Sequence, residues 1–462
     1  MAKHPLSKRE EKRELSRRAL IKWSVAAGAA LGVSRSKIFD ILEKSSGRDT
    51  AFAAATNPTH RSVHIVAGNG GLAWFTQFWP FPSVATANSG TLAWNYPGQQ
   101  TVVAGTDRKL VIGPDTPWAS LPAQNQVTGF LCGNNETHTR QPTSSTSLNG
   151  NNIFSVASAL QSASPSVIPL ITIGDVDVGT APGAQQPSNV NNGDGIVGLF
   201  NSAASRAGGL LANSSDAAVY KSFYDSFTQL NRAANRSTTK IAYTTASGAA
   251  QFLGTNLSAK LAITPADLTR YGITGSSPSK LTSVARALIV TIKSFGMGLT
   301  NSVVLPAFDD DPHGAFDGGE INTFPAMAKQ VFDAFMTDLQ NTVDANTMVN
   351  LSDDTVITVH GDTFKSPQNR GGWPDGTPNN TNVVYVYSAG DLKSGWNGDI
   401  TAGGNATGFD TAGNSATYNG GTEAKIATAS IAYAIAKRDD RAISNFANGV
   451  TISGIFGRPK DI

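Results

Sequence analysis

Cysteine is almost missing from this chain of 462 residues: a single one, Cys132, excludes an intramolecular disulfide. Packing and any bound ions must then supply the stability that cross-links would otherwise give. Cys132 itself reads as a small buried hydrophobe, since no catalytic setting surrounds it. Charge is scarce as well. Charged residues make up 15% of the chain, against about 25% in ordinary soluble proteins, and Gly, Ser, Thr and Asn dominate in their place. That describes a neutral, loop-rich surface. Basic residues concentrate at one end: residues 1 to 55 hold 12 Lys and Arg against 6 Asp and Glu, leaving 24 basic and 28 acidic side chains beyond them. With no basic stripe in that remainder, nucleic-acid binding has no support. Beyond the N-terminus no stretch stays apolar for the ~18 residues that a membrane-crossing helix requires, so no stable transmembrane span is expected after signal cleavage.

What is present begins with an address. Ser16-Arg17-Arg18-Ala19-Leu20-Ile21-Lys22 precedes the short apolar run Trp23 to Val33, an order that closely resembles a twin-arginine export signal. The small residues Ala51-Phe52-Ala53 follow, although the polar segment Ser34 to Thr50 leaves cleavage near Ala53 or Ala55 open. Residues 1 to 55 are therefore expected to be signal peptide and linker, with the twin-arginine translocase as partner and a periplasmic or extracellular destination.

Residues 56 to 462 are expected to form a single α/β domain. Arg61 to Ala67 (RSVHIVA), Val167 to Ile173, the apolar run from Leu299 to the three aspartates that begin at Asp309, Thr355 to His360 and Asn382 to Tyr387 are runs ending at turn or polar residues, the pattern of buried strands. Apolar residues at helical spacing predict helices over Asn152 to Ser162, Ser215 to Arg236, Lys280 to Phe295, Asn322 to Val343 and Thr422 to Lys437, with uneven helical patterns from Gln251 to Ala262 and Pro265 to Tyr271. Trp74 to Gln100 is aromatic, Pro-rich and aperiodic, favouring irregular loops or short strands, and Ala402 to Gly421 reads as a low-complexity loop. The alternation implies a largely parallel central sheet flanked by helices, with long irregular loops and a ligand site outside the carboxyl ends of the strands.

Several of those strand ends carry polar side chains. The strand from Leu299 runs into Asp309-Asp310-Asp311-Pro312-His313, and Thr355 to His360 runs into Asp362. Mixed imidazole and carboxylate donors suit zinc or manganese, whereas all-oxygen sets suit magnesium or calcium. Each cluster also reads another way: three aspartates make a solvated turn, and a strand-end His360 makes a hydrogen-bonded core residue. Asp175 and Asp177 after the strand ending at Ile173 are ligands or turn residues on the same reasoning. Thr137-His138 sets a hydroxyl beside an imidazole, and Lys365 could hold an anionic group. The rings between Trp74 and Trp94 could stack on a glycan or pack in the core.

The order of these motifs resembles a twin-arginine-exported bacterial family of unknown function within the alkaline phosphatase and sulfatase superfamily. The likeness covers roughly Ser62 to Lys437. Gly68 to Gly71 looks like the family's first turn, Thr137-His138 is similar to its Ser-His, and Asp311-Pro312-His313 resembles its Asp-x-His. Asp362, Lys365, Ser366 and Pro367 look like its Glu, Arg, Thr and Pro, while Asn69 stands where superfamily enzymes present an Asp. The resemblance implies an alkaline-phosphatase-like fold and a metal-dependent phospho- or sulfoester hydrolase. In it Thr137 would be the nucleophile, with His138 beside it. Asp311, His313, Asp362, His360 and Asp175 would hold divalent metal, and Lys365 would neutralise the transferred group. An eroded site on the same fold would instead serve binding or assembly at the cell envelope, with a glycan or protein partner.

Overall fold

The computed structural model describes residues 59–67, 78–88, 100–119, 126–134, 139–164, 166–200, 252, 255–308, 323–361, 381–401, 403–448 and 450. The chain divides into two compact units, one of Met1–Asp49, Pro165–Val167 and Gly195–Ala262, the other of Thr50–Ser164, Ile168–Asp194 and Ile263–Ile462.

The larger unit is built on a mixed sheet of eight strands: β1 (Arg61–Val66), β4 (Val127–Cys132), β7 (Ile168–Ile173), β8 (Ser188–Val190), β9 (Thr300–Pro306), β10 (Thr355–His360), β11 (Asn382–Tyr387) and β12 (Gly395–Asn397). Their order is β12-β4-β11-β10-β1-β9-β7-β8. All pairings are parallel except the two made by β11, which runs against both β10 and β4. Shorter strands make three accessory sheets: β2 (Thr101–Val102) with β3 (Val111–Ile112), β5 (Ser147–Leu148) with β6 (Asn151–Asn152), and β13 (Asp399–Ile400) with β14 (Ala406–Phe409) and β15 (Ser415–Thr417).

Every residue of β1, β4, β10 and β11 is buried, which is why these segments read as near-continuous β-branched and aromatic runs. Burial of residues such as Val63, Ile65, Val359 and Val384 contributes about 1.5–3 kcal/mol per side chain. Against one face, through Val66, Phe130, Val304, Val356 and Val384, pack the helices α2 (Ile153–Leu160) and α8 (Gly420–Ile435). The opposite face is covered by α6 (Ser279–Gly296) and α7 (Phe324–Asn341), as shown by Arg61 over the Phe295 ring and by Trp118 against both Phe332 and Tyr387. Helix ends follow local chemistry. Asn152 caps α2 by accepting from the Phe154 amide at 2.9 Å, and Gly298, at φ +70°, turns the chain out of α6 into β9. The remaining helices of this unit are α1 (Pro82–Asn88), α5 (Pro265–Arg270) and α9 (Asp440–Ile443), while α3 (Gly193–Leu199) has its first two residues here and the rest in the smaller unit. In the smaller unit, α4 (Leu257–Leu261) starts at Asn256, whose side chain accepts from the Ala259 amide at 3.0 Å.

The sequence expectation of an α/β fold with a mostly parallel sheet flanked by helices holds. Four local readings change. Pro82–Asn88 is helix rather than irregular, because Pro82 presets the first turn while Val84 and Ala85 bury one side. The low-complexity stretch folds as the β14–β15 hairpin, anchored by buried Phe409 and turned at Gly413, whose φ is +81°. Val127–Cys132, for which the sequence suggested no element, is an interior strand. Only Leu257–Leu261 of the Gln251 to Ala262 pattern is helix among the described residues, and the helix expected over Ser215 to Arg236 lies outside them.

Candidate functional site

Because β11 alone is reversed, β1, β4, β7, β9 and β10 all end at one edge of the sheet, at Val66, Cys132, Ile173, Pro306 and His360. Backbone bonds carry the ladder past those ends: the Ala67 amide donates to the His360 carbonyl at 3.0 Å, Ala307 to Val66 at 2.8 Å and Gly361 to Val383 at 2.8 Å. The chain then continues from β1, β4, β9 and β10 into the segments that hold Asn69, Thr137 and His138, Asp311 and His313, and Asp362 and Lys365. All of these residues lie outside the described residues. β9 and β10 flank β1 on opposite sides at this edge, the carboxyl end of the strands, outside which open α/β sheets receive ligands.

Two sequence candidates are described, and they differ. Asp175, in the turn after β7, is largely exposed and ion-paired with Arg140. The Arg140 guanidinium holds its carboxyl below the usual carboxylate range. Its charge is thus already matched by a protein partner, while neighbouring Asp177 accepts from the Gly179 amide at 2.7 Å and serves the turn. His360 is buried, and its Nε2 lies 2.9 Å from Thr358 Oγ1. The same hydroxyl lies 2.7 Å from His64 Nδ1 on β1. Both imidazoles sit 5.0 Å, centroid to centroid, from the Phe154 ring of α2. Burial pushes His360 down to about 3, and burial together with the nearby His360 pushes His64 well below the ordinary imidazole value. Both rings are neutral at physiological pH. Their distal nitrogens, His64 Nε2 and His360 Nδ1, have no hydrogen-bond partner among the described residues, and neither does the amide of Asn382 on adjacent β11.

Sequence reasoning missed Thr358 and Asn382. The signal was a polar residue every second position: Ser62 and His64 in β1, Thr358 and His360 in β10, all on the face toward α2. It also missed a second cluster at the opposite edge. His60 Nδ1 meets Asp354 Oδ1 at 2.9 Å, and its Nε2 meets Asp391 Oδ2 at 2.8 Å. Lys437 joins Asp354 at 2.5 Å and Arg438 joins Asp391 at 3.1 Å. A neighbouring buried pair, Arg61 with Asp344, ties β1 to the turn after α7.

Phe78, Trp79 and Phe81 are buried, with the Trp79 ring tilted against Trp118 at 5.4 Å and against Tyr385 at 4.9 Å between centroids. Those rings are core and do not offer a face to a sugar; Trp74 and Trp94 lie outside the described residues. Cys132 is buried, as expected. Among the described residues no group of three or more His, Cys, Asp or Glu side chains is placed to hold a metal ion, and no helix is long and apolar enough to cross a membrane. The described residues supply two unpartnered ring nitrogens, His64 Nε2 and His360 Nδ1, and His360 Nδ1, at the carboxyl end of β10, is the one that suits a divalent cation when it carries no proton.

Fold and edge together define an α/β protein with a mixed, mostly parallel eight-stranded sheet whose strands β1, β4, β7, β9 and β10 end along one edge. Compared with protein-family models, curated proteins and solved structures, the chain matches none of them.

Proposed function

We propose that the protein is an exported, metal-dependent hydrolase of phospho- or sulfoesters with an alkaline-phosphatase-like architecture, its site at the carboxyl edge beside β1. One observation carries this reading: β1, β4, β9 and β10 end together, and Asn69, Thr137, His138, Asp311, His313, Asp362 and Lys365 each follow one of those ends. In this reading Asp311, His313, Asp362 and His360 hold the cation, and the Arg140 partnership leaves Asp175 out of that set. A bound divalent cation supplies Lewis-acid polarisation and lowers the pKa of a coordinated hydroxyl. Thr137 Oγ1 attacks phosphorus or sulfur in line with the leaving oxygen, His138 orients the hydroxyl, and the Lys365 ammonium offsets the negative charge on the transferred group.

The test is elemental analysis of full-length protein purified without chelator, together with release of phosphate or sulfate from a model ester. Stoichiometric zinc or manganese and chelator-sensitive turnover are expected, with metal content reduced at least several-fold in Asp311→Ala. Protein that is both metal-free and inactive would sink the reading, and unchanged metal content in Asp311→Ala would remove that residue from the site.

A further inference from the structure

The hydroxyl shared by His64 and His360 imposes a rule on both rings. Thr358 Oγ1 lies 2.7 Å from His64 Nδ1 and 2.9 Å from His360 Nε2, and it has no third partner among the described residues. A hydroxyl has one proton to donate. If both rings donated to it, its own proton and both distal ring nitrogens would be left unpaired, three unsatisfied buried groups against two in either alternative. The favourable arrangements are therefore two. In the first, His64 Nδ1–H donates to Thr358, which donates to His360 Nε2, so both rings carry their proton on Nδ1. In the second the direction reverses, and both carry it on Nε2. The rings always share one tautomer. Their unpartnered nitrogens, His64 Nε2 and His360 Nδ1, are then always one donor and one acceptor.

We propose that Thr358 couples His64 and His360 into a single tautomeric unit, so that Thr358 and His64 are positioning residues for His360, whose Nδ1 takes a divalent cation when bare. The cation clause rests on the hydrolase reading given above; the coupling does not. Metal on His360 Nδ1 requires the proton on Nε2 and so selects the second arrangement. Reaching it from the first balances as follows: one proton leaves His360 Nδ1 to water, the Thr358 proton passes to His360 Nε2, the His64 Nδ1 proton passes to Thr358, and water returns one proton to His64 Nε2. No net charge is created, as rings this deeply buried demand. A bonded partner on the second nitrogen is also what fixes the tautomer and orientation of a metal-ligating histidine.

The experiment is long-range proton–nitrogen correlation NMR on full-length protein with 15N-labelled histidine, the two rings assigned through His64→Gln and His360→Gln. Both rings are expected to show the same tautomer without metal, unchanged from pH 5 to pH 8. Adding Zn2+ should shift His360 Nδ1 and leave both rings fully Nε2-protonated. In Thr358→Val the His64 ring should stop responding to Zn2+, and Thr358→Ser should restore the response. Opposite tautomers in metal-free wild-type protein would overturn the coupling, as would a His64 ring indifferent to zinc bound at His360. If zinc does not bind, the cation clause fails, the hydrolase reading stands or falls by the metal content and turnover described above, and the metal-free spectra still decide the coupling. Should the valine variant not fold, the serine variant and the wild-type spectra carry the decision.

Discussion

Replacing His60 by glutamine should make the protein's stability less dependent on pH on the alkaline side. His60, Asp354 and Asp391 are nearly sealed from solvent, with side-chain exposures of 7%, 3% and 10%. Burial alone would lower the imidazole pKa, but the hydrogen bonds from Asp354 and Asp391 outweigh it and raise His60 above its ordinary value. Asp354 moves the other way: burial opposes ionisation, and its bonds to His60 and Lys437 overcome that and hold the carboxyl below its ordinary value. The signs then follow from linkage. A raised imidazole contributes fully below the unfolded pKa of about 6.5 and loses its contribution as pH climbs through the higher folded value. The depressed carboxyl contributes above about 4 and loses its contribution as pH falls through its lower folded value. The cluster is strongest between the two, near pH 5 to 6. Two charge-assisted hydrogen bonds at about 1.5–3 kcal/mol each give about 3–6 kcal/mol gross, in line with the about 3–5 kcal/mol lost when one partner of a buried ion pair is removed. Lys437 and Arg438 stay beside the carboxylates and temper the loss, so about 3 kcal/mol is expected for His60→Gln at pH 5.5. Urea unfolding of both proteins at pH 5.5, 7 and 8.5 measures this, and the gap should shrink toward pH 8.5. A gap independent of pH would refute the claim that the imidazolium holds the cluster together.

Two further outcomes concern other parts of the framework. Asp344→Ala leaves the Arg61 guanidinium buried without its carboxylate beneath the Phe295 ring, and a loss of about 3–5 kcal/mol is expected in denaturant unfolding at pH 7. Gly420→Ala adds a methyl group against the Gly133 carbonyl, where the start of α8 meets the end of β4. That crowding should cost about 1–3 kcal/mol and lower the thermal midpoint, whereas Gly421→Ala, whose added Cβ meets only Asn419 Oδ1 at 4.0 Å, should change it little.

Much of the architecture was legible because the interior strands advertise themselves. Thr355–His360 and Asn382–Tyr387 match their β-branched runs residue for residue, since every position of both strands is buried and favours residues that pack on a pleated surface. β4 escaped because Thr128 and Gly129 interrupt its apolar run; the missing Cβ of Gly129 makes room for the Trp396 ring, a requirement that only the folded sheet reveals. The reversal of β11 was likewise invisible, because direction is set by the connection and not by the strand's composition. At the site, the sequence pointed to strand ends, and those of β1, β4, β9 and β10 do share one edge. It could not weigh Asp175 against His360, because the difference lies in partners distant along the chain: Arg140 for one, and Thr358 and His64 for the other. The His60 cluster was unreadable for the same reason, its bonds spanning 294 and 331 residues.

The central strand is made long before either of its neighbours. β1 lies between β9 and β10, and the bond from Ser62 to Ser302 joins residues 240 apart. At about 5–20 residues per second a ribosome needs about 12–48 s to bridge that interval. Through all of it RSVHIV has both hydrogen-bonding edges open and neither flanking strand yet made, a segment primed to pair with another chain. The yield of folded protein is therefore set by what covers six residues near the start of the chain while the next 240 are synthesised.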